Sequence, residues 1–358
     1  GGRLMEDFVT LTDLASRALG GGVVHADDEF FAAADHLVLP APPVFTPRSF
    51  GHKGQVYDGW ESRRRREPGS DAAIVRLGVP GVISGVDVDT AFFTGNFPPH
   101  AAIDGLATDG YPTPAELLAA EWTPLVPRSP LAGDSRNLFG VTDNRRYTHV
   151  RLTIYPDGGV ARLRVHGTAV PDPRLLPEVF NVAALEYGAR ITECSNRFYG
   201  HPENMLMPGQ AQHMGDGWET SRRRDDANDW VTVRLAAPAE IALVDLDTTH
   251  FKGNAPGWAT LRGTADGQNW FDILPRVALR PDTPHRFPVD PGRAASHVRL
   301  DIYPDGGMAR LRLHGRPAAD FLHTQFRRHT ADDQLGRSAP GHPATGYGRA
   351  HPHAEGEL

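Results

Sequence analysis

The sequence contains one cysteine, Cys194, so no disulfide can form within the chain, and a reducing, cytoplasmic location is expected. It has no run of 18 apolar residues and no signal-peptide pattern, which argues against a membrane-spanning or secreted protein. It also lacks the HExxH, CxxC and GxSxG motifs, the phosphate loop and the dinucleotide fingerprint. These absences disfavour the familiar zinc hydrolases, serine hydrolases and nucleotide-dependent enzymes.

Acidic residues outnumber basic ones, with 44 Asp and Glu against 37 Lys and Arg and a formal net charge of −7. Such a chain is not expected to bind nucleic acid or an anionic membrane through its overall charge. Glycine (38 residues) and proline (31) are frequent, as is typical of many short strands joined by turns. With 358 residues, the chain is long enough for two domains that each bury a core.

Three motifs occur twice in the same order, which indicates an internal duplication. The matching pairs are residues 58–61 (DGWE) with 216–219, residues 87–90 (DVDT) with 245–248 (DLDT), and residues 154–159 (IYPDGG) with 302–307. The shift between copies is 158 for the first two pairs and 148 for the third. The first copy therefore contains about ten extra residues, which we expect in the proline-rich segment 122–137.

The duplication predicts two domains, residues 1–170 and 187–320, with a linker at 171–186 and a disordered tail at 321–358. In both copies, β-branched runs and alternating segments indicate short strands without long helices between them. We therefore predict an all-β protein made of two tandem jelly-roll β-sandwiches. The order of elements resembles the galactose-binding-like, discoidin-type sandwich, a fold that implies binding as readily as catalysis.

Each DGWE motif is followed by consecutive arginines, which together form a polar cluster. The planar fork of an arginine suits bidentate capture of a carboxylate. In the alternative interpretation the cluster is structural, and its carboxylates pair with the arginines around a buried tryptophan. The candidate residues are Asp58, Glu61, Arg64 and Arg65 in the first copy and Asp216, Glu219, Arg222 and Arg223 in the second.

The DVDT and DLDT segments place two aspartates on one strand face, because side chains alternate with a period of two. Like charges this close need a metal cation, arginines such as those at 63–66, or a proton held by a raised pKa. A raised pKa would suit a general acid or base, and a solvated strand face is the alternative interpretation. The candidates are Asp87, Asp89 and the following Asn96, with Asp245, Asp247 and Asn254 as their copies.

Taken together, these strings resemble the allantoicase family over residues 8–319. The strings that carry the resemblance are DGWESRR at 58–64, GVDVDTAFFTGN at 85–96, YPDGG at 155–159 and DGWET at 216–220. The resemblance implies hydrolysis of allantoate to ureidoglycolate and urea in allantoin and purine degradation. It thus implies a hydrolase acting on C–N bonds of linear amidines. The copies differ at several positions, His250 standing where the first has Phe92, so unequal roles are expected.

The resemblance also implies a small-molecule substrate, whose carboxylate would bind Arg64 or Arg65. An acid–base pair is required to protonate the departing urea and activate water, and the pocket is expected near the contact between the sandwiches. The predicted catalytic residues are Glu61, Asp87, Asp89, Glu219, Asp245 and Asp247. The predicted substrate-binding residues are Asp58, Arg64, Arg65, Asn96, Asp216, Arg222, Arg223 and Asn254.

No motif requires a cofactor, and a divalent metal is compatible with the paired aspartates without being demanded by any ligand spacing. Exposed sandwich edges favour a homo-oligomer. Two other functions remain open on the sequence. One is a tandem discoidin-like carbohydrate-binding module without catalytic activity, and the other is a structural scaffold of paired sandwiches.

Overall fold

The structure, a computed structural model, describes residues 7–330, and most of its elements are strands. The strands of the first repeat are β1 (Thr12–Asp13), β2 (Gly22–Ala26), β3 (Phe50–Gly51), β4 (Gly54–Gln55), β5 (Trp60–Glu61), β6 (Asp71–Asp89), β7 (His100–Leu106), β8 (Thr123–Pro130), β9 (Arg136–Gly140), β10 (Arg146–Tyr155), β11 (Gly159–Val160) and β12 (Arg162–Ala169). Those of the second are β13 (Phe180–Asn181), β14 (Arg190–Cys194), β15 (Trp218–Glu219), β16 (Asp229–Asp247), β17 (Trp258–Thr264), β18 (Trp270–Ala278), β19 (Pro284–Pro288), β20 (Ala294–Tyr303), β21 (Gly307–Met308) and β22 (Arg310–Pro317). The α-helices are α1 (Pro114–Ala119) and α2 (Phe321–Thr330), and the 3₁₀ helices are Asp7–Thr10, Arg17–Leu19, Ala34–Val38, Pro173–Leu175, Leu185–Tyr187, Pro202–Leu206 and Met214–Asp216.

The 19-residue strand β6 connects the two layers of the first sandwich. Its first part pairs with β2 and β10, and its second part pairs with β9 and β12. Beyond them, β7 and β8 extend the first layer and β1 borders the second. Val75 in the first part and Val88 in the second are both fully buried in one apolar cluster, so the core lies between the layers.

The second repeat has the same topology as the first. Its strand order, β13-β22-β16-β20-β17-β18, corresponds position by position to β1-β12-β6-β10-β7-β8. Each repeat has its own core cluster with a fully buried tryptophan, Trp60 in the first and Trp218 in the second. The predicted duplication and the predicted all-β class of two tandem sandwiches are therefore confirmed.

The structure corrects the predicted limits of the second domain. Strand β13 lies inside the predicted linker, yet it pairs with β22, and Phe180 belongs to the second core. The predicted disordered tail begins with helix α2, because Leu322 also packs into that core. The rest of that tail, residues 331–358, lies outside the described residues. No helix within residues 7–330 has the length and apolar character needed to cross a bilayer.

The first copy contains two insertions of about ten residues, where the sequence predicted one. The later insertion lies at residues 107–122, which include α1, because the shift between copies is already 148 at the ends of β8 and β18. The expected position at 122–137 was wrong, since β8 and β9 form paired strands there and a loop would interrupt their ladders. The other insertion lies at residues 45–57, which include β3 and β4.

Gly159 should be intolerant of a side chain, because an added Cβ would lie 2.1 Å from the ring of buried Phe93. We expect Gly159→Ala to lower the free energy of unfolding by about 1–3 kcal/mol, the usual cost of overpacking. Gly95→Ala is the control, since among residues 7–330, apart from its two chain neighbours, no heavy atom lies within 4 Å of a Cβ at that position. Urea titration of both variants measures the difference, and equal stabilities would contradict the steric explanation.

Candidate functional site at the loop end of each repeat

The repeated motifs of each copy meet at one end of its sandwich. In the first repeat, Tyr155 at the end of β10 pairs with His100 at the start of β7. The following turn continues into β11, where Gly159 pairs with Glu61 of the DGWE motif. The corresponding pairings recur in the second repeat. We call this region, with its loops, the loop end of the repeat.

The loop end of the first repeat contains a buried carboxyl group, that of Glu61. The residue is 9% exposed, and Asn96 Nδ2 donates a hydrogen bond to its Oε1 at 2.9 Å. Burial raises the pKa of the Glu61 carboxyl, and the bond from Asn96 lowers it by a smaller amount. No donor within residues 7–330 bonds to Oε2. This oxygen is therefore available to exchange a proton with a ligand.

Main-chain contacts hold Glu61 and Asn96 in place. Phe31 N donates to Glu61 O at 3.1 Å, and Gly159 N donates to Asn96 O at 2.8 Å. The close approach requires glycine at position 158, which has a φ of +132° and where a Cβ would lie 2.7 Å from Asn96 O. The repeated PDGG turn thus brings the loop that carries Asn96 against the strand that carries Glu61.

The second repeat contains the same carboxylate–amide pair. Asn254 Nδ2 donates to Glu219 Oε1 at 2.6 Å. Glu219 is only half-buried, whereas Glu61 is buried. The two loop ends therefore share a polar pair but differ in how far they shield it from water.

Arg65 in the first copy and Arg223 in the second bond to aspartates of their own loop ends. Arg65 Nη1 donates to Asp71 at 2.9 Å, and the main-chain N of Arg65 donates to Asp157 at 2.7 Å. Arg223 makes the equivalent two bonds in the second repeat, at 2.8 and 2.7 Å. Both guanidinium groups are therefore paired with carboxylates of the protein itself, Arg65 through Nη1 and Arg223 through Nε, Nη1 and Nη2.

The preceding arginines are placed differently. Arg64 and Arg222 are exposed, and neither has a hydrogen-bond or ion-pair partner within residues 7–330. Each follows the motif glutamate by three residues and therefore lies in the segment that leaves the Glu61 or Glu219 strand. Of the four predicted arginines, these two are the ones free to bind an anion.

Asp58 is committed to an ion pair beneath the loop. Arg162, which is 1% exposed, donates to both carboxylate oxygens at 2.9 Å each. His36 Nδ1 and Val44 N add bonds of 2.8 and 3.0 Å. Burial opposes ionisation, but these bonds prevail and lower the pKa of Asp58 to about 2. The carboxylate of Asp58 is thereby fully engaged in holding the fold.

Asp216 is not ion-paired with the equivalent arginine. Its Oδ2 accepts the main-chain N–H of Gln212 at 2.7 Å. Arg310, the counterpart of Arg162, keeps one equivalent bond, from Nε to Gly209 O at 2.9 Å, as Arg162 Nε bonds to Ala41 O. Its Nη1, however, donates to the main-chain carbonyl of Asp216 at 2.8 Å, where Arg162 bonds to a carboxylate. The two copies therefore satisfy the same buried arginine by different means.

The twin aspartates of the first repeat lie on the outer face of β6, opposite arginines of β12. Asp87 is 1% exposed and accepts a bond from Arg136 Nε at 2.7 Å. Burial raises the pKa of Asp87, and the pairing with Arg136 lowers it by less. Asp89 accepts the main-chain N–H of Ala91 at 2.9 Å. The positive charge at Asp87 comes from Arg136, and no arginine of 63–66 bonds to either aspartate.

The twin aspartates of the second repeat also have their own partners. Asp245 pairs with Arg286 and His314, each at 2.9 Å. Asp247 accepts the main-chain N–H of Thr249 at 2.8 Å. The structure thus joins each motif glutamate to its asparagine, and it places the four aspartates in separate networks.

A large cavity does lie between the repeats, with a volume of about 1010 Å³. It is lined by residues such as Leu11, Asp13, Arg190 and His201, and by none of the predicted site residues. The expectation of a site near the contact between the sandwiches is therefore not met by those residues. Each motif glutamate and its asparagine lie at a loop end, and the four aspartates lie in networks of their own. Within residues 7–330, no group of three His, Cys, Asp or Glu side chains is arranged to hold a metal ion.

Sequence reasoning missed the hairpin of residues 45–57 beside the Glu61 site. Lys53 Nζ donates to Phe30 O at 2.8 Å and lies 4.5 Å from the centre of the Phe30 ring. A signal was present, because the shift between copies falls from 168 to 158 between residues 44 and 58. An insertion found in one copy beside a shared motif would have indicated a difference between the sites.

A family model for the Allantoicase repeat matches residues 12–170 and 180–318. A probable allantoicase of Nocardia farcinica is 58% identical over 313 residues, which are 86% of this chain and 95% of that protein. One of Streptomyces coelicolor is 47% identical and covers 87% of each chain. The crystal structure of allantoicase from Saccharomyces cerevisiae is 33% identical with a TM-score of 0.74, covering 86% of this chain and 96% of that chain. The similarity therefore extends over both repeats.

Proposed function

This chain belongs to the allantoicase family and is a hydrolase, and we propose that it cleaves one C–N bond of allantoate at the loop end of its first repeat. The products are ureidoglycolate and urea. The observation that carries this proposal is the buried Glu61 carboxyl, one oxygen of which is held by Asn96 while the other is free. A carboxyl whose pKa is raised by burial is suited to general acid–base work.

Allantoate presents one carboxylate and two ureido groups on a single carbon. Protonated Glu61 donates its proton from Oε2 to the nitrogen that joins one ureido group to this carbon. The C–N bond breaks with its electron pair on that nitrogen, and urea leaves. The Glu61 carboxylate then accepts a proton from the water whose oxygen forms the new C–O bond. One water is consumed and Glu61 regains its proton, so the step balances without another reactant.

The neighbouring residues orient this reaction. Asn96 holds Oε1 and so directs Oε2 toward the substrate. Arg64 pairs with the substrate carboxylate, because its guanidinium has no partner within residues 7–330, whereas that of Arg65 is paired with Asp71. Asp87 and Asp89 have no role in our mechanism, since their contacts are with Arg136 and Ala91.

Arg64→Gln is expected to raise KM for allantoate roughly 10- to 100-fold with little change in kcat. The reason is that a hydrogen bond to a charged group contributes about 1.5–3 kcal/mol, and the bound carboxylate is remote from the bond that breaks. Arg222→Gln in the second repeat is the matched control and should leave KM unchanged. Steady-state kinetics of both variants decide the matter, and equal effects would contradict the assignment of Arg64.

The proposed function is tested by incubating the purified protein with allantoate. One urea should be released for each allantoate consumed, and ureidoglycolate should appear at the same rate in NMR spectra. A protein that is folded by circular dichroism yet releases no urea above the uncatalysed rate would overturn the proposal.

A further inference from the structure

The hairpin of residues 45–57 is an addition to a frame that the two copies otherwise share. On one side of it, Ala41 O accepts from Arg162 Nε at 3.0 Å, as Gly209 O accepts from Arg310 at 2.9 Å. Val44 N donates to Asp58 as Gln212 N donates to Asp216. These equivalent bonds show that the extra residues of the first copy lie between Val44 and Asp58. The second copy has only the three residues 213–215 in that place.

The hairpin is internally bonded and is fixed to the loop that leads to Asn96. Val56 N donates to Ser49 O at 2.8 Å, which closes the hairpin. The Phe45 ring stacks on that of Phe92 with centroids 5.7 Å apart, and Tyr57 stacks on Phe93 at 4.9 Å. Phe92 and Phe93 precede Asn96 by only four and three residues, so one edge of the hairpin borders the Asn96 loop.

The other edge of the hairpin borders the strand partner of Glu61. Lys53 Nζ donates to the carbonyl of Phe30, and the next main-chain N–H, that of Phe31, donates to Glu61 O at 3.1 Å. A single peptide plane therefore separates the Lys53 ammonium from the Glu61 main chain. The hairpin therefore contacts both the loop that leads to Asn96 and the segment that pairs with Glu61.

The second repeat has no hairpin at the corresponding place of its loop end. His250 occupies the position of Phe92, and both have the left-handed backbone, with φ of +75° and +69°. His250 Nε2 bonds directly to Ala211 O at 2.8 Å, where Phe92 receives the stacked Phe45. Glu219 remains half-buried beside this shorter loop. The copy without the hairpin is thus the copy with the more exposed carboxyl.

We propose that the hairpin of residues 45–57 covers the Glu61 site and makes the first repeat the one that turns over substrate, with Lys53 as the positioning residue that ties it down. This inference rests on the proposed function and names the element that separates an active from an inactive copy. Excluding water strengthens each electrostatic contact within the site and keeps a small charged substrate against the acid. Loop closure of this kind also fixes the reacting geometry, where a misplacement of about 1 Å costs about 100-fold in rate.

The first experiment replaces residues 45–57 by the three residues 213–215 of the second copy. The shorter segment should fold, because it occurs in this chain between the same anchoring bonds. We expect kcat/KM for allantoate to fall about 100-fold while the melting temperature stays within a few degrees. A folded variant with full activity would overturn the inference.

The matched control removes the other insertion of the first copy. Residues 107–122 are replaced by residues 265–270, at the end of β7 where Leu106 pairs with His149, opposite the loop end. This variant should keep its kcat/KM. An equal loss in both variants would show that the effect comes from shortening the first repeat and would overturn the inference.

A single substitution tests the same idea should the shortened variant fail to fold. Lys53→Met keeps an unbranched side chain over Phe30 but removes the bond to its carbonyl, and we expect KM to rise about 10-fold. Lys53→Arg should restore most of the loss, and Lys252→Met in the second repeat should have no effect. A lower melting temperature with unchanged KM would mean that Lys53 is merely structural. If wild-type protein releases no urea, the proposed function fails; if it does and Lys53→Met matches it, only this inference fails.

Discussion

Glu61→Gln is expected to lower kcat for urea release by about 10²- to 10⁴-fold, the usual contribution of a positioned proton transfer. The glutamine amide has nearly the same shape and its oxygen can still accept the hydrogen bond from Asn96, so the fold and KM should change little. It cannot donate and recover a proton in the pH range of the assay. Steady-state kinetics with a coupled urea assay measure the loss, and circular dichroism confirms that the variant is folded.

Glu219→Gln is the control for this experiment, since Glu219 makes the same bond to its asparagine in the second repeat. It should retain nearly full kcat. A loss of kcat confined to Glu219→Gln would show that the reaction takes place in the second repeat and would contradict the assignment to Glu61. Because burial raises the pKa of Glu61 and its protonated form acts first, kcat/KM should fall as pH rises through that raised pKa.

Asp58→Ala is expected to destabilise the first repeat by about 3–5 kcal/mol, the typical cost of leaving one charge of a buried pair alone. Arg162 is 1% exposed, so water cannot replace the lost carboxylate as the partner of its guanidinium. The bonds from His36 and Val44 are lost as well. Urea unfolding measures the change, followed by the fluorescence of the six tryptophans of the chain, of which Trp60 lies in the first core.

Asp216→Ala is the corresponding control and should cost only about 1 kcal/mol, because Arg310 bonds to the main-chain carbonyl of Asp216, which alanine keeps, and not to its carboxylate. Equal losses in the two variants would show that the ion pair of Asp58 is not the cause. The contribution of Asp58 also depends on pH. Its pKa is lowered to about 2 in the folded protein, so the stabilisation is present above pH 4 and disappears as pH falls toward about 2.

The sequence was a sufficient guide to the fold because duplication and strand patterning are local signals. Motifs kept in order at fixed shifts show two copies wherever they lie in space, and the alternation of residues 149–155 indicates a strand without knowledge of its neighbours. The limits of the second domain were placed less well. Phe180 and Leu322 join the second core from segments that have no strong pattern of their own.

The candidate site was only partly predictable. The glutamate and asparagine of each copy were singled out from the motifs, and the structure places each pair within hydrogen-bond distance. The sequence could not tell Arg64 from Arg65, since adjacent residues of one type differ only in what surrounds them. For the charge beside Asp87 it left a metal cation, the arginines of 63–66 and a raised pKa as alternatives, whereas the structure pairs Asp87 with Arg136, 49 residues away.

By itself, the sequence determined that this protein consists of two related β-sandwiches and that it resembles one hydrolase family throughout. Only the tertiary structure decided how each predicted carboxyl is buried and bonded, which of the predicted arginines are left unpaired within residues 7–330, and that the insertion of the first copy forms a hairpin beside Phe30 and Phe92. The physical reason is that repeats and periodicity are properties of neighbouring residues, whereas burial and charge pairing depend on side chains brought together from distant positions.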